Sequence, residues 1–417
     1  MLYARSVNWN HAARCVPPRW ALAAALLCFC AVTSPSLANY SGGNGTHDDP
    51  YLISTPQDLL ALAADPNDWG RHFRLVADVN MADVPGDALC IIGDHVFPFK
   101  GTFDGAGNRI LHYTCICPGG ERVGLFGHLR GLEAEVHDLR MVDPNVDAGT
   151  GTSAGGLVGH LGTGCRVTRC HVEGARVSSN IAAGGLVGWS YGIITGCTAQ
   201  GEVTGNYSVG GLVGVCGTDA QIRDCRADAR VTASTRVGGL VGSCSLTTID
   251  WSSSSGSAAG LSVVGGLAAV SEGGIISNCY STTSVTADAT VAGLIAHCDM
   301  SCNCSEGVLP SIIRNSYCTG LVSGKVEIGG LIAVSEPDCI VEDCFWDTQT
   351  SGMKTSAEGA GLPTALLQVQ RTFADAWWDF TPKAGSGDYW VISHEPAYPL
   401  PAWQIPPDDP NTAAPPE

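Results

Sequence analysis

Short blocks of small and apolar residues recur along the middle of the chain. The string GGLVG begins at Gly155, Gly184, Gly210 and Gly238, and related strings begin at Val123, Gly265, Ala292 and Gly329. The start-to-start spacings are 32, 29, 26, 28, 27, 27 and 37 residues, and the last is lengthened by an insertion near residues 297–310. Eight copies at near-constant spacing predict a repeat architecture over residues 121–347.

A second landmark, usually a cysteine, follows most of the glycine pairs after 13 to 15 residues. The cysteines are Cys170, Cys197, Cys225, Cys279 and Cys344, with Trp251 taking the place in one repeat and Cys318 in the repeat with the insertion. From Cys197 onwards, small or apolar residues alternate with polar ones as far as Val203, which predicts a strand with one inward face. Each repeat is thus predicted to hold a short GGLVG strand, a turn, a longer strand and another turn.

Stacking of the repeats is the arrangement that satisfies their backbone. Residues 121–347 show no helical periodicity, and a hairpin sheet at this period would leave the GGLVG segments unpaired. If each repeat lies on the next, every amide pairs with a neighbouring coil at about 4.8 Å. The sequence therefore predicts an all-β fold, a right-handed parallel β-helix. A β-propeller is the alternative, but its usual period of about 40–50 residues is longer.

The two ends of such a solenoid need caps. Residues 39–120 are predicted to form an N-terminal cap and the first coils, with a short helix beginning at Thr55-Pro56 and a strand over residues 73–81. Residues 348–404 are predicted to form a C-terminal cap with a helix beginning at Thr364. Its rings are expected to plug the last coil, or alternatively to form an exposed platform for sugars; they are Phe373, Trp377, Trp378, Phe380, Trp390, Tyr398 and Trp403. Residues 405–417 are predicted to be a disordered tail.

The first 38 residues have the pattern of a secretory signal peptide. Three arginines precede an apolar run over residues 21–32, and Ser36-Leu37-Ala38 supplies small residues for cleavage after Ala38. A lipoprotein signal at Cys28 is the alternative. The run is shorter than the roughly 20 residues of a membrane span, and no later segment is apolar enough to cross. We therefore expect a secreted or cell-surface protein without a membrane span after signal removal.

Charge and cysteine content narrow the functional classes. The chain has 22 basic and 40 acidic side chains, a net charge of −18, which argues against nucleic-acid binding. Export permits disulfides, but stacked cysteines hold their Cβ atoms too far apart, so buried free thiols are expected in the columns Cys197/Cys225 and Cys216/Cys244. In the insertion, Cys298, Cys302 and Cys304 could form a disulfide or a small metal site, and Cys115 and Cys117 leave the same two alternatives.

The repeat pattern resembles that of a known family. The sequence GGLVG…C…G-V, as in Gly184–Gly188, Cys197, Gly201 and Val203, resembles the GLUG motif of bacterial surface and secreted proteins. Residues 41–62 and 97–110 look like the segment that precedes such repeats, and residues 345–352 and 372–380 look like the segment that follows them. The resemblance implies a β-helix outside the cytoplasm and implies no single activity.

Candidate chemistry is sparse, and no cofactor is expected. The strings H-E-x-x-H and G-x-S-x-G are absent. The carboxylates of the N-terminal third are interpreted as solvated turn residues; they are Asp78, Asp83, Asp87, Asp94 and Asp104. One repeat alternates acids and bases on its outward strand face and is interpreted as an ion-pair ladder: Asp219, Arg223, Asp224, Arg226, Asp228 and Arg230.

The sequence therefore favours a non-enzymatic, adhesin-like extracellular module that binds polysaccharide or a surface protein. Its function would then lie in the outward strand faces or in the insertion. One alternative is a polysaccharide lyase or hydrolase with its site in the N-terminal third, which would need clustered carboxylates. A passive part in a larger surface assembly is the third possibility.

Overall fold

The computed structural model describes residues 40–87, 91–299, 301–303, 307–381, 388–393 and 396–405. In these residues the chain winds into a parallel β-helix of about nine turns. Identical positions of successive repeats lie in register, as Val158 does with Val187, and Val213 with Val187 and Val241. The predicted all-β parallel β-helix is confirmed and the propeller alternative is wrong. The predicted signal peptide over residues 1–38 lies outside the described residues, as does nearly all of the predicted tail.

Each regular turn crosses four sheets, for example from Ala182–Gly184 of sheet III through Val187–Ser190 of sheet IV and Ile193–Thr195 of sheet I to Thr198–Gly205 of sheet II. Sheet I has strands Tyr51–Ile53, His72–Leu75, Thr102–Asp104, Glu135–His137, Arg166–Thr168, Ile193–Thr195, Gln221–Arg223, Thr248–Asp250, Ile275–Ser277, Ile312–Arg314 and Ile340–Glu342. Sheet II has Val79–Asn80, Arg109–Leu111, Thr114–Ile116, Arg140–Val142, Asn145–Asp147, His171–Ser179, Thr198–Gly205, Arg226–Thr232, Ser253–Gly260, Tyr280–Ser281, Ser284–Ala287, Tyr317–Cys318, Val322–Ser323, Phe345–Asp347 and Ala360–Leu362.

Sheets III and IV meet at the corner that the glycine pairs form. Sheet III has strands Arg122–Val123, Ser153–Gly155, Ala182–Gly184, Ser208–Gly210, Val237–Gly238, Val263–Gly265, Thr290–Ala292 and Glu327–Gly329. Sheet IV has Phe126–Leu129, Val158–Leu161, Val187–Ser190, Val213–Cys216, Val241–Ser245, Ala268–Glu272, Ile295–Asp299 and Ile332–Ser335. Two antiparallel pairs stand apart, Ser301–Asn303 with Gly307–Leu309 and Trp390–Val391 with Leu400–Pro401.

The GGLVG block is a corner, so the prediction of a single short strand is wrong. Gly210 ends a strand of sheet III, and Val213 begins a strand of sheet IV. A Cβ on Gly210 would lie 2.1 Å from the Val213 carbonyl oxygen, so only glycine fits this bend. The three-residue strand of sheet I was also missed, because in Arg166–Thr168 only Val167 is buried and three residues show little alternation.

A residue with positive φ precedes the cysteine landmark and turns the chain from sheet I to sheet II. These residues have φ between 48° and 64° and are Asp138, Arg169, Gly196, Asp224, Trp251, Asn278, Asn315 and Asp343. Trp251 is therefore the corner residue of its turn, and Ser252 takes the cysteine position. Cys318 lies in register with Ser281, and Ser316 takes the cysteine position there. The sequence assignments of Trp251 and Cys318 are wrong because counting residues cannot locate the corner.

The landmark column is joined by hydrogen bonds between turns. The amide of Cys170 donates to the sulfur of Cys197 at 3.4 Å, and the amide of Cys197 donates to Cys225 at 3.5 Å. The amide of Cys225 in turn donates to the Ser252 hydroxyl at 3.2 Å. The expected free thiols are confirmed for these cysteines and for Cys216 and Cys244. The thiols of the landmark column accept hydrogen bonds as well as filling space, which explains why serine can replace them.

We predict that serine and alanine substitutions rank in opposite order of stability in the column of Cys197 and in the column of Cys216. Cys197→Ser should stay within about 1 kcal/mol of the parent protein, whereas Cys197→Ala should cost about 1–3 kcal/mol because the Cys170 amide loses its acceptor. Cys216 has no described hydrogen-bond partner for its sulfur, so at this matched control Cys216→Ala should be tolerated better than Cys216→Ser. Urea unfolding of the four variants measures both orders, and the same order at both positions would contradict the interpretation.

The N-terminal end is closed by a helix, Pro56–Ala64. The Thr55 hydroxyl accepts from the Asp58 amide at 3.2 Å, and the Asp58 carboxylate accepts from the Thr55 amide at 3.0 Å. The predicted helix start is confirmed. The strand expected over residues 73–81 is divided between sheets I and II, because the chain turns after Leu75. A continuous apolar core runs from Tyr40 to Trp346.

The C-terminal aromatic residues pack against the side of the helix. Residues 364–405, which we name the C-terminal strap, include helices Thr364–Leu367 and Gln370–Ala374 and the 3-10 helix Ala402–Gln404 in place of the one predicted helix. The strap packs Phe373, Trp378 and Trp390 on the outer face of sheet II.

The strap does not plug the last coil, so that expectation is wrong. The outer face of sheet II offers Tyr280 and Tyr317, and the corner before it offers Trp251. The indole of Trp403 donates to the Trp251 carbonyl at 3.1 Å. The last coil is instead covered by residues 353–357, whose main chain bonds to residues 330–332. The rings of Trp251, Tyr280 and Tyr317, which lie in three successive turns, therefore determine where the strap lies.

Candidate functional site

A groove of about 750 Å³ opens on the outer face of sheets III and IV. Its floor is the outward column of sheet IV, where Trp189, Val215 and Ser243 lie in register in three successive turns. One wall is the turn that precedes sheet III and carries Tyr207 and Arg236. The other wall lies at the ends of the sheet IV strands and just beyond them, and its lining residues are Tyr191, Thr218, Ser245 and Glu272. The groove therefore crosses several turns of the helix.

Aromatic rings dominate the groove. The rings of Trp189 and Tyr191 are near-parallel, with centroids 6.4 Å apart and planes at 15°. Tyr207 stands on the opposite wall and is 51% exposed. The lining also includes the hydroxyl side chains of Ser208, Thr218, Thr235, Ser243 and Ser245. A surface that combines ring faces with hydroxyls suits a ligand that has both apolar faces and many polar groups.

Two buried polar atoms of this region lack a hydrogen-bond partner among the described residues. They are the indole nitrogen of Trp189 and Nδ1 of His160, which lies one turn below Trp189 in the floor column. Burial of the ring and, after it, the positive charge of Arg122 lower the pKa of His160 to about 3. The ring is therefore neutral at pH 7.

The carboxylates singled out in the N-terminal third do not converge on one point. Asp78 pairs with Arg109 at 2.7 Å, and this contact lowers the pKa of Asp78. Asp94 accepts from the amides of its own turn at residues 96 and 97. Asp83 and Asp87 are exposed in the turn over residues 82–87.

Asp104 belongs to a separate cluster with His137 and Asp138. One ligand-type atom from each of the three residues lies within 4.8 Å of the others. Arg169 holds Asp138 through two bonds of 2.6 and 2.7 Å, and chiefly this contact lowers the pKa of Asp138 to about 2. Arg74 lies 3.5 Å from Asp104. Because the arginines already compensate both carboxylates, we interpret the cluster as an ion-pair network between turns.

Of the three candidate cysteines of the insertion, the structure describes the side chain of Cys298. Cys298 lies in sheet IV with its side chain buried inside the helix, in register with Ser335. The side chain of Cys302 and all of Cys304 lie outside the described residues. The disulfide or metal site at Cys298, Cys302 and Cys304 therefore stays a prediction.

Comparison with known proteins supports the interpretation of the repeats. The sequence model of the GLUG motif matches residues 150–178, 179–204 and 205–232. The chain carries GLUG repeats. Each matched repeat corresponds to one turn of the helix, and the groove uses the second and third GLUG repeats together with the two turns that follow. Among the described residues, no helix is long and apolar enough to cross a membrane.

Two relatives share part of the GLUG-repeat chain. Over 183 residues it is 31% identical to halomucin of Haloquadratum walsbyi, which is 43% of this chain and 2% of halomucin. Over 125 residues it is 33% identical to a candidate Gly-rich membrane protein of Evansella cellulosilytica, which is 29% of this chain and 14% of that protein. The chain thus spans a small part of the length of each relative.

Solved structures with a similar backbone include two proteins described as proteases. A candidate immunoglobulin A1 protease from Bacteroides ovatus is 18% identical with a TM-score of 0.46, over 88% of this chain and 96% of that chain. An IgA1 protease is 15% identical with a TM-score of 0.48, over 82% of this chain and 26% of that one.

The acids and bases of the third GLUG repeat form a network that reaches beyond their own turn. Arg223 lies 2.6 Å from Asp250 of the next turn, 2.5 Å from Asp388 of the strap and 3.6 Å from Asp224. The ion pairs therefore reach Asp250 and Asp388, beyond the single coil and strand face to which the sequence confined the ladder. One Asp224 oxygen is buried without a partner among the described residues, and burial raises the pKa of this carboxyl to about 6.

We predict that Asp224→Asn stabilises the protein at neutral pH. The unfolded carboxyl titrates near pH 4, so at pH 7 the folded state carries the cost of an ionised buried group, and this cost disappears as pH falls from about 6 to 4. The substitution should raise the free energy of unfolding by about 1–2 kcal/mol at pH 7.5 and change it little at pH 4. Urea unfolding at both pH values measures this, with the outward Asp228→Asn as control. An equal effect at both pH values would contradict the assignment.

Proposed function

We propose that the chain is an exported, non-enzymatic binding module that holds a polysaccharide in the groove at Trp189, Tyr191 and Tyr207. The observation that carries the proposal is the groove itself, which is lined by three aromatic rings and several hydroxyl groups. Sugar rings stack their C–H faces on aromatic side chains, and their hydroxyls exchange hydrogen bonds with serine and threonine. A groove that crosses several turns suits a linear chain of sugars.

Binding is favoured over cleavage by the acids of the groove. Glycoside hydrolysis generally needs two carboxyl groups on either side of the scissile bond. Among the described residues that line the groove, Glu272 is the one carboxylate. The carboxylates of the N-terminal third are paired with arginines or with the amides of their own turns, or are exposed. The alternative of a lyase or hydrolase therefore has less support than the binding module.

An exported or surface location is part of the same proposal. The signal-like pattern that ends at Ala38 supports it, and one relative is named as a membrane protein. The net charge of −18 suits a protein that stays soluble outside the cell.

We expect Trp189→Ala to lower polysaccharide affinity about 10-fold or more, because the central ring of the groove is lost. Trp189→Phe keeps a ring of smaller area and should lower affinity about 3- to 10-fold. The measurement is a glycan-array screen with the purified chain, followed by titration of the best polymer.

Trp377→Ala is the matched control, because Trp377 is 88% exposed and lies in the strap, outside the groove. Unfolding midpoints of all three variants should match the parent protein. Absence of binding to any polymer by the folded parent would overturn the proposal, and release of shortened polymer would replace it by the enzyme alternative.

A further inference from the structure

An arginine at the N-terminal end of the groove face has an unusual set of partners. Nη1 of Arg122 lies 2.7 Å from Nδ1 of His95 and 3.3 Å from Nδ1 of His128. Arginine stays protonated and is donor-only, so both imidazoles must accept through Nδ1. Nearby Glu121 and Asp94 form no ion pair with the guanidinium in the described part of the chain. These two carboxylates act on the cation only through space, so the guanidinium has no direct carboxylate partner among the described residues.

The buried histidine holds the guanidinium in place. His128 is 6% exposed, and its ring also donates to the main-chain carbonyl of Asp94. Burial of the ring and, after it, the positive charge of Arg122 lower the pKa of His128 to about 4. The imidazole is therefore a neutral acceptor at pH 7. Among the described residues, only Nη1 of the Arg122 guanidinium has hydrogen-bond partners. The edge formed by Nε and Nη2 is therefore open to a ligand. That edge matches a carboxylate or sulfate group with two parallel hydrogen bonds.

The arginine belongs to the same surface as the groove. Arg122 pairs in register with Ser153, and that outward column of sheet III continues through Ala182 to Ser208 of the groove wall. In sheet IV the floor column runs from His128 through His160 to Trp189. At about 4.8 Å per turn, His128 lies about 10 Å from Trp189 along the helix axis.

Rings connect the two places without a gap. The centroids of His95 and His128 are 6.5 Å apart, those of His128 and His160 are 4.8 Å apart, and those of His160 and Tyr191 are 5.7 Å apart. A sugar chain in the groove that continues along this row of rings would place its next units against Arg122.

We infer that Arg122 is an anion-binding subsite of the groove, and that the ligand is an acidic polysaccharide whose carboxylate or sulfate groups it binds. The inference rests on the proposed function and adds the charge class of the polymer. The position of this cation is notable in a chain of net charge −18, because the overall field repels an acidic polymer and only a specific contact would hold it.

The test compares charged and neutral polymers on the full chain. Polygalacturonate supplies carboxylates, dextran sulfate supplies sulfates and dextran is neutral, all titrated at fixed ionic strength because salt screens these contacts. The parent protein should bind at least one acidic polymer about 10- to 100-fold more tightly than dextran. Arg122→Gln should remove that preference and leave dextran affinity unchanged, and the acidic polymer that loses affinity identifies the group.

Matched variants separate this inference from the proposed function. Arg140→Gln removes an equal charge from the outer face of sheet II and should change neither affinity. Trp189→Ala should weaken acidic and neutral polymers alike. If Arg122→Gln does not fold, Arg122→Lys keeps the charge without the fork and should lose most of the preference.

Polymer binding that depends on Trp189 but shows no acidic preference would overturn the subsite and leave the groove standing. An equal loss in Arg140→Gln would overturn the subsite too, since it would show a general charge effect. If the folded parent binds none of the three polymers and none on the glycan array, both proposals fail.

Discussion

Gly210→Ala is expected to destabilise the β-helix by more than about 3 kcal/mol, or to prevent folding of the repeat region. The added Cβ would lie 2.1 Å from the Val213 carbonyl oxygen and 2.7 Å from both the Gly242 nitrogen and the Leu240 oxygen. All three are main-chain atoms, and two belong to the next turn. The contact with Val213 can be relieved only if the bend within this turn opens, and the other two only if the two turns move apart, which would break the ladders that join them.

The measurement for Gly210→Ala is a urea unfolding curve followed by circular dichroism. Gly70→Ala is the control, because a Cβ there would have no atom within 4 Å. That variant should stay within about 0.5 kcal/mol of the parent. If Gly210→Ala unfolds within about 1 kcal/mol of the parent protein, the corner does not require glycine and the account of the GGLVG block is wrong.

Tyr317→Ala is expected to cost about 3–5 kcal/mol and to release the C-terminal strap. The ring is fully buried between sheet II and the strap, with the rings of Tyr280, Trp378 and Trp390 between 5.3 and 6.2 Å away. Its hydroxyl donates to the Pro399 carbonyl at 2.7 Å. Removing the ring leaves a cavity at the centre of this cluster, whereas Tyr317→Phe loses only the hydrogen bond, about 1 kcal/mol.

Limited trypsin digestion reads out release of the strap in Tyr317→Ala. Arg371 lies in a short helix of the strap and should be cut faster once that helix detaches. Trp377→Ala is the control, since this ring is exposed and its loss should change neither digestion nor unfolding. Unchanged digestion of Tyr317→Ala would show that the strap is held elsewhere.

The coil and its register could be predicted from the sequence because both depend on a strict spacing. Val187 and Val213 lie in register as the repeated GGLVG block indicates. The corners could not be predicted in the same way. The residue before each landmark position is aspartate, arginine, glycine, tryptophan or asparagine. These residues share a positive φ, but no single residue type marks the corner in the sequence. Trp251 was misassigned for this reason.

The groove was beyond the reach of sequence reasoning for a different reason. Its rings come from three unlike positions, a floor residue, a turn after sheet IV and a turn before sheet III, and each appears once in the repeats concerned. One signal existed: the position after the V-G of each block points outwards and holds His160, Trp189 and Val215 in successive repeats. A column that changes from ring to aliphatic residue marks a place where the outer surface differs between turns.

The C-terminal strap has a mechanical consequence. Trp403 and Gln404 are tied to Trp251 and Ser253, about 150 positions earlier in the chain, while Tyr317 is tied to Pro399. A pull on the chain end at residue 405 would therefore load several turns at once, in shear across their outer face. Without the strap, the same pull would peel the last turn away first and the others after it, one at a time.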